Sequence, residues 1–120
     1  MMIYLLKSLL MIPHRNNDRE LVWFEGVFMQ KHVASIFFDR GFHPGEIVTC
    51  ECCYKRQAVD VAHIYWRLGD NYIDPAHLIY MCRSCHYSFD VRHRWSRDDI
   101  AKRVADTRER RKEVIALLGR

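Results

Sequence analysis

Apolar residues recur along this chain with two different periods, and each change of period marks a change of element. Over residues 17–41, Leu21, Phe24, Phe28, Val33, Ile36 and Phe37 return at steps of roughly three and four, the spacing of one helix face. Asn17 and Asp18 in front, with Gly41 and Pro44 behind, are start and stop signals for such a helix. Gly26 and the pair Val27-Phe28 leave a break or a strand open within it. The aromatic stripe reads as core, and His32 and His43 read as core or surface histidines rather than ligands. Over residues 57–66 the period falls to two, with Val59, Val61, His63 and Tyr65 on one strand face and Asp60, Ala62, Ile64 and Trp66 on the other. A loop rich in Gly, Asn, Asp and Pro follows, and "LIYM" at 78–81 returns as a second short strand. A helix is then expected from the second cysteine pair to about His93. Ser96, with Asp99 three residues on, opens a final helix of about twenty residues. Its stripe is Ile100, Val104, Val114, Ile115 and Leu118, interrupted at Thr107 and Arg111.

The candidate chemistry begins with the cysteines. Cys50 and Cys53 form one Cys-x-x-Cys pair, and Cys82 and Cys85 form another. Each pair lets a single backbone knuckle aim two thiolates at one ion, and two knuckles complete a tetrahedral shell for a structural Zn2+. Cys52 is then the spare, although its closeness to Cys50 leaves open which of the two ligates. Buried free thiols or disulfides are the competing reading, and matched spacing in a chain with no secretory signal favours zinc. Such binding is coupled to folding and is worth about 10 to 16 kcal/mol in small zinc peptides. Chelation is therefore expected to unfold at least the central half. Knuckle, hairpin, knuckle and helix, in that order, make a treble-clef unit. A chain of 120 residues is one α+β domain. It divides into an N-terminal helical part at 1–49, a zinc core at 50–94 and a long C-terminal helix at 96–119.

Charge adds a partner. The net charge is +4, but residues 1–82 carry 8 Lys and Arg against 9 Asp and Glu, whereas residues 83–120 carry 11 against 6. A basic half that starts at the second knuckle suits a nucleic-acid backbone, the plainer alternative being a solvated helix surface. The apolar opening, residues 1–13, stops at Pro13 and is shorter than the about 20 residues of a membrane span. Leu5, Leu6, Leu9, Leu10 and Ile12 are expected to form a short helix packed on the body or on a protein partner. No charged stretch precedes that run and no small-residue cleavage site follows it, which points to a cytoplasmic, non-secreted protein.

From Cys50 to Asp90 the sequence resembles the HNH endonuclease superfamily. "CECC" is similar to the first family knuckle, "VAHI" to the strand with the catalytic histidine, "AHLIYMC" to the stretch with the middle motif residue, and "CRSCHYSFD" to the knuckle-and-helix segment with the third. The resemblance implies a ββα-metal core that hydrolyses DNA phosphodiester bonds. His63 would be the general base, His86 the metal position on the helix, and His77 would stand where the family usually has Asn. It also implies a catalytic Mg2+ or Mn2+ and, by analogy, a phage or other mobile element. Independently of the family, His86 and Asp90 lie four apart on one helix face, with His93 a further turn on, a geometry for two side chains meeting one ion. The competing partner for Asp90 is Arg94, also four residues away. Arg83, Arg92, Arg94, Arg97, Lys102 and Arg103 are the candidate phosphate contacts, which position without specifying sequence.

The chain departs from the family pattern at one named position. Ala62 precedes His63 where many members carry a second metal ligand, and Asp60, on the same strand face, or Asp74, in the following loop, would have to replace it. The alternative is a catalytically inactive treble-clef module that binds nucleic acid or a protein. A third class is an assembly protein that uses the apolar N-terminus as its interface.

Overall fold

The computed structural model describes residues 19–65 and 73–119. The short apolar helix expected at the N-terminus and Trp66 lie outside them.

The segment expected as one helix begins instead as a hairpin. Strand β1, Leu21–Phe24, pairs antiparallel with β2, Val27–Gln30, in the register Leu21↔Gln30 to Phe24↔Val27. The turn between them is Glu25-Gly26, with φ of +45° and +84°, the two positive values that a two-residue turn between right-twisted strands requires. "LVWF" and "VFMQ" are β-branched and aromatic, so a pairing partner two residues away wins over helical spacing. Leu21 and Phe28 consequently face solvent, 46% exposed each, instead of lining the core. Helix α1, Lys31–Arg40, carries the remaining half of the stripe, burying Ala34, Ile36 and Phe37. It stops at Gly41, whose φ of +73° suits glycine. A Cβ there would stand 2.8 Å from Cγ1 of Ile115, so the same glycine lets the C-terminal helix approach.

The rest of the chain is built around a second hairpin. Residues 48–58 fold back on themselves through a Thr49↔Gln57 bridge and the bonds Cys50 N–H to Arg56 O, 2.7 Å, and Ala58 N–H to Val48 O, 2.8 Å. Strands β3, Asp60–His63, and β4, Leu78–Met81, pair antiparallel, joined through a 3-10 turn at Pro75–His77. Asp74 caps that turn by accepting Ala76 N–H at 2.9 Å. Helix α2, Arg83–Asp90, leaves β4 directly after Cys82 and ends at Asp90, short of the expected His93. His93 has φ +51° beyond that end and so is off the helix face that it was expected to share. Helix α3, Arg97–Leu118, starts as expected on Ser96, whose hydroxyl accepts Asp99 N–H at 3.0 Å.

The β3–β4 sheet divides the core. Ala62, Ile64, Ile79 and Met81 face α2, α3 and the cysteines, whereas Leu78, Val61 and Tyr80 face α1 and Phe42. Ile64, Ile79 and Met81 are fully buried, each worth about 1.5 to 3 kcal/mol. On α3, Ile100, Val104 and Thr107 are buried while Leu118 is 76% exposed, so the packed face runs through Thr107 and does not reach the helix end.

One buried ion pair ties the halves together. Arg40 is fully buried and reaches Glu51 through Nε at 3.0 Å and Nη2 at 3.3 Å, Asp39 and the Pro75 carbonyl through Nη1 at 2.8 Å, and the Leu78 carbonyl through Nη2 at 2.8 Å. Glu51 also accepts Tyr80 N–H at 2.8 Å. Because Glu51 sits between Cys50 and Cys52, this network fixes the first knuckle against α1 and β4.

Candidate metal centre

Cys50, Cys53, Cys82 and Cys85 bring their sulfurs within 4.8 Å of one another. The hairpin at 48–58 supplies the first two, and the start of α2 the others. A tetrahedral shell with Zn–S of about 2.3 Å sets sulfurs about 3.8 Å apart, and Cys53 Sγ lies 3.9 Å from Cys82 Sγ. The donor set and its spacing therefore fit zinc. Backbone amides turn towards the sulfurs as thiolates require. Cys52 and Cys53 N–H point at Cys50 Sγ at 3.3 and 3.4 Å, and Cys85 N–H points at Cys82 Sγ at 3.4 Å. Partial burial of the Cys53 thiol opposes ionisation, but the Lys55 and Arg56 amides and the neighbouring Cys50 and Cys85 side chains outweigh it and bring the pKa down to about 6. Burial pushes the Cys50 and Cys85 thiols up.

Of Cys50 and Cys52, it is Cys50 whose sulfur groups with those of Cys53, Cys82 and Cys85. Cys52 is buried to 2% exposure in the core beside the four, and its carbonyl accepts Nη1 of Arg103 at 2.7 Å. All five thiols are free of disulfides.

A second polar cluster lies where α2 crosses the start of β3. His86 Nδ1 faces Asp60 Oδ2 at 3.2 Å, and its Nε2 faces Asp90 Oδ2 at 2.8 Å. Arg83 closes on both oxygens of Asp60 at 3.3 and 3.2 Å. Burial would raise the Asp60 carboxyl, but bonds from Arg83 and His86 and their charges hold it below the usual range. With Tyr87 and Val91 these groups line a shallow cavity of about 280 Å3. The Asp60–His86 separation is that of a hydrogen bond, and both Asp60 oxygens also accept from Arg83. Asp90 faces the other ring nitrogen, so the three do not converge on one point in this arrangement. Asp90 thus pairs with His86 rather than Arg94.

The remaining candidates are spread more widely. His63 ends β3 on the face opposite Asp60, where its ring centroid stands 6.2 Å from that of His32. His77 belongs to the 3-10 turn, its ring 5.6 Å from Tyr65 and its carbonyl accepting Ile64 N–H at 2.9 Å. Asp74 is engaged in capping that turn. Of the candidate phosphate contacts, Arg97 donates to the Ile64 carbonyl and lies over Phe89, and Arg103 reaches the Cys52 carbonyl and lies over Trp95. Arg92 and Arg94 are exposed above Tyr87 and Trp95, and Lys102 is exposed on α3. Arg40 and Glu51 carried no local signal, because the two residues are 11 apart and each looks like an ordinary surface charge.

Comparison with protein-family models, with curated proteins and with solved structures gives no match. The fold and the site define a small α+β protein whose four-cysteine cluster could hold a metal ion. Among the described residues, no helix is long and apolar enough to cross a membrane.

Proposed function

We propose that the chain is a zinc-stapled treble-clef module of the HNH type and acts as a metal-dependent endonuclease on DNA. The observation that carries this reading is the Asp60–His86 pair, 3.2 Å apart. It offers a carboxylate on the strand face where Ala62 offers none. The cysteine centre supports it mechanically, since Cys85 precedes His86 and a metal on Cys82 and Cys85 fixes the first turn of α2 against β3. Asp60 and His86 would hold the divalent ion, which supplies Lewis-acid stabilisation of charge on a phosphodiester. Arg83, its side chain 81% exposed, extends the same cavity towards a phosphate oxygen while keeping Asp60 ionised. The family resemblance would give the general base to His63, which stands on the other face of β3 from this cavity, so in this reading the bound strand must reach across the strand edge to it.

One observation favours a second reading, a module that binds nucleic acid without cutting it. His63 lies three residues along β3 from Asp60, about 10 Å of strand rise, and on the other face.

Plasmid cleavage in Mg2+ or Mn2+ separates the two. The nuclease reading expects cleavage by the zinc-loaded wild type and a loss of about 10²- to 10⁴-fold in His63→Ala. It also expects a loss in Asp60→Asn and His86→Ala with zinc retained. Equal cleavage by wild type and His63→Ala sinks the role of the base, and DNA binding without metal-dependent cleavage leaves the binding module.

A further inference from the structure

A recess of about 300 Å3 opens between the first knuckle and α3, sharing no residue with the Asp60–His86 cluster. Arg110, Arg111, Tyr54 and Thr107 give it its character. Among the described residues, neither arginine is ion-paired with a carboxylate. Arg110 donates one N–H to the Tyr54 hydroxyl at 3.0 Å and lies 5.2 Å above that ring. Arg111 uses Nε on the Arg40 carbonyl at 2.8 Å and Nη2 on the Gly41 carbonyl at 3.5 Å, with its guanidinium over Phe42. A guanidinium has five N–H donors, so both retain donors for a ligand. The Tyr54 and Thr107 hydroxyls, 3.4 Å apart, add two more groups. Of the lining carboxylates, Glu51 is neutralised by Arg40, and Glu46 accepts the His43 amide at 2.9 Å. Two guanidinium groups against Glu46, the one lining carboxylate with no cation partner among the described residues, leave the recess net positive, and with two hydroxyls this suits a tetrahedral oxyanion. The half-exposed Tyr54 ring and Ile47, 77% exposed, supply a flat apolar rim on which a planar group can rest.

We propose that this recess binds the phosphate of a nucleotide, with the base against Tyr54. The site is separate from any cleavage chemistry and stands or falls without it. The phosphate could belong to a free nucleotide or to a DNA strand, and the test distinguishes these sources. Full-length, zinc-loaded protein is titrated with AMP, with inorganic phosphate as competitor, and with a short single-stranded oligonucleotide. The expected result is saturable binding that weakens about tenfold or more in Arg110→Gln, from the loss of a charge-assisted bond. Tyr54→Ser is expected to weaken AMP more than phosphate, while Arg19→Gln, exposed and outside the recess, leaves AMP binding unchanged. Weakening confined to the oligonucleotide assigns the phosphate to a strand, and weakening of AMP as well assigns it to free or terminal nucleotides; both uphold the pocket. Equal binding of every probe by wild type and Arg110→Gln, at equal zinc content and circular dichroism, overturns it, as does the absence of saturable binding.

Discussion

Arg40 has no solvent exposure, and a charge so placed is tolerable only because Glu51, Asp39 and two carbonyls surround it. Removing one member strands the rest. Arg40→Met should lower stability by about 3 to 5 kcal/mol, because the Glu51 carboxylate is left buried without its partner. Urea denaturation at fixed zinc content measures this, and the double variant Arg40→Met with Glu51→Gln should recover part of the loss. Residue by residue, the sequence was most readable where chemistry is local. The Cys-x-x-Cys pairs and the Ser96 cap each depend on neighbours three residues away. Arg40 with Glu51, Arg97 on the Ile64 carbonyl and Arg103 on the Cys52 carbonyl join residues 11, 33 and 51 apart. No single-sequence pattern distinguishes such arginines from phosphate contacts.

At the scale of elements, spacing alone misled most over residues 21–30. Leu21, Phe24 and Phe28 fit a helical stripe, yet Glu25-Gly26 can turn the chain and the flanking residues are strand formers, so residues 21–30 are a hairpin and α1 starts at Lys31. Strands β3 and β4 and helix α3 were legible from alternation and capping. How elements clamp to each other was not. Asp39 on α1 accepts both Nε and Nη2 of Arg108 on α3 at 2.9 Å, besides Arg40. Burial would raise the Asp39 carboxyl, but the Arg108 bonds and the Arg40 charge and bond outweigh it, so its folded value lies below the ordinary one. A depressed carboxylate stabilises the fold above its unfolded pKa, about 3.9, and loses that contribution as pH falls from there through the folded value. The stability gap between wild type and Asp39→Asn should therefore be widest near neutral pH and narrow below about pH 4. Acid titration of unfolding in both proteins checks this, and a gap that widens with acid would contradict it.

For the whole molecule, the first knuckle is where the two sides of the β3–β4 sheet meet, its cysteines lying on the α2 side and its Glu51 bonded towards α1. Arg40 and Glu51 fasten the knuckle to α1, and a metal on the four sulfurs would fasten it to α2 through Cys82 and Cys85. The Asp60–His86 cluster is built on that frame, so the functional proposal depends on the metal being held by these four sulfurs. Zinc content of purified protein, with Cys50→Ser and Cys52→Ser beside the wild type, tests that claim most directly. The account predicts one zinc per chain in the wild type and in Cys52→Ser, and well below one in Cys50→Ser with loss of the knuckle fold. Zinc retained by Cys50→Ser and lost by Cys52→Ser, or a wild type that purifies folded without zinc, would contradict it.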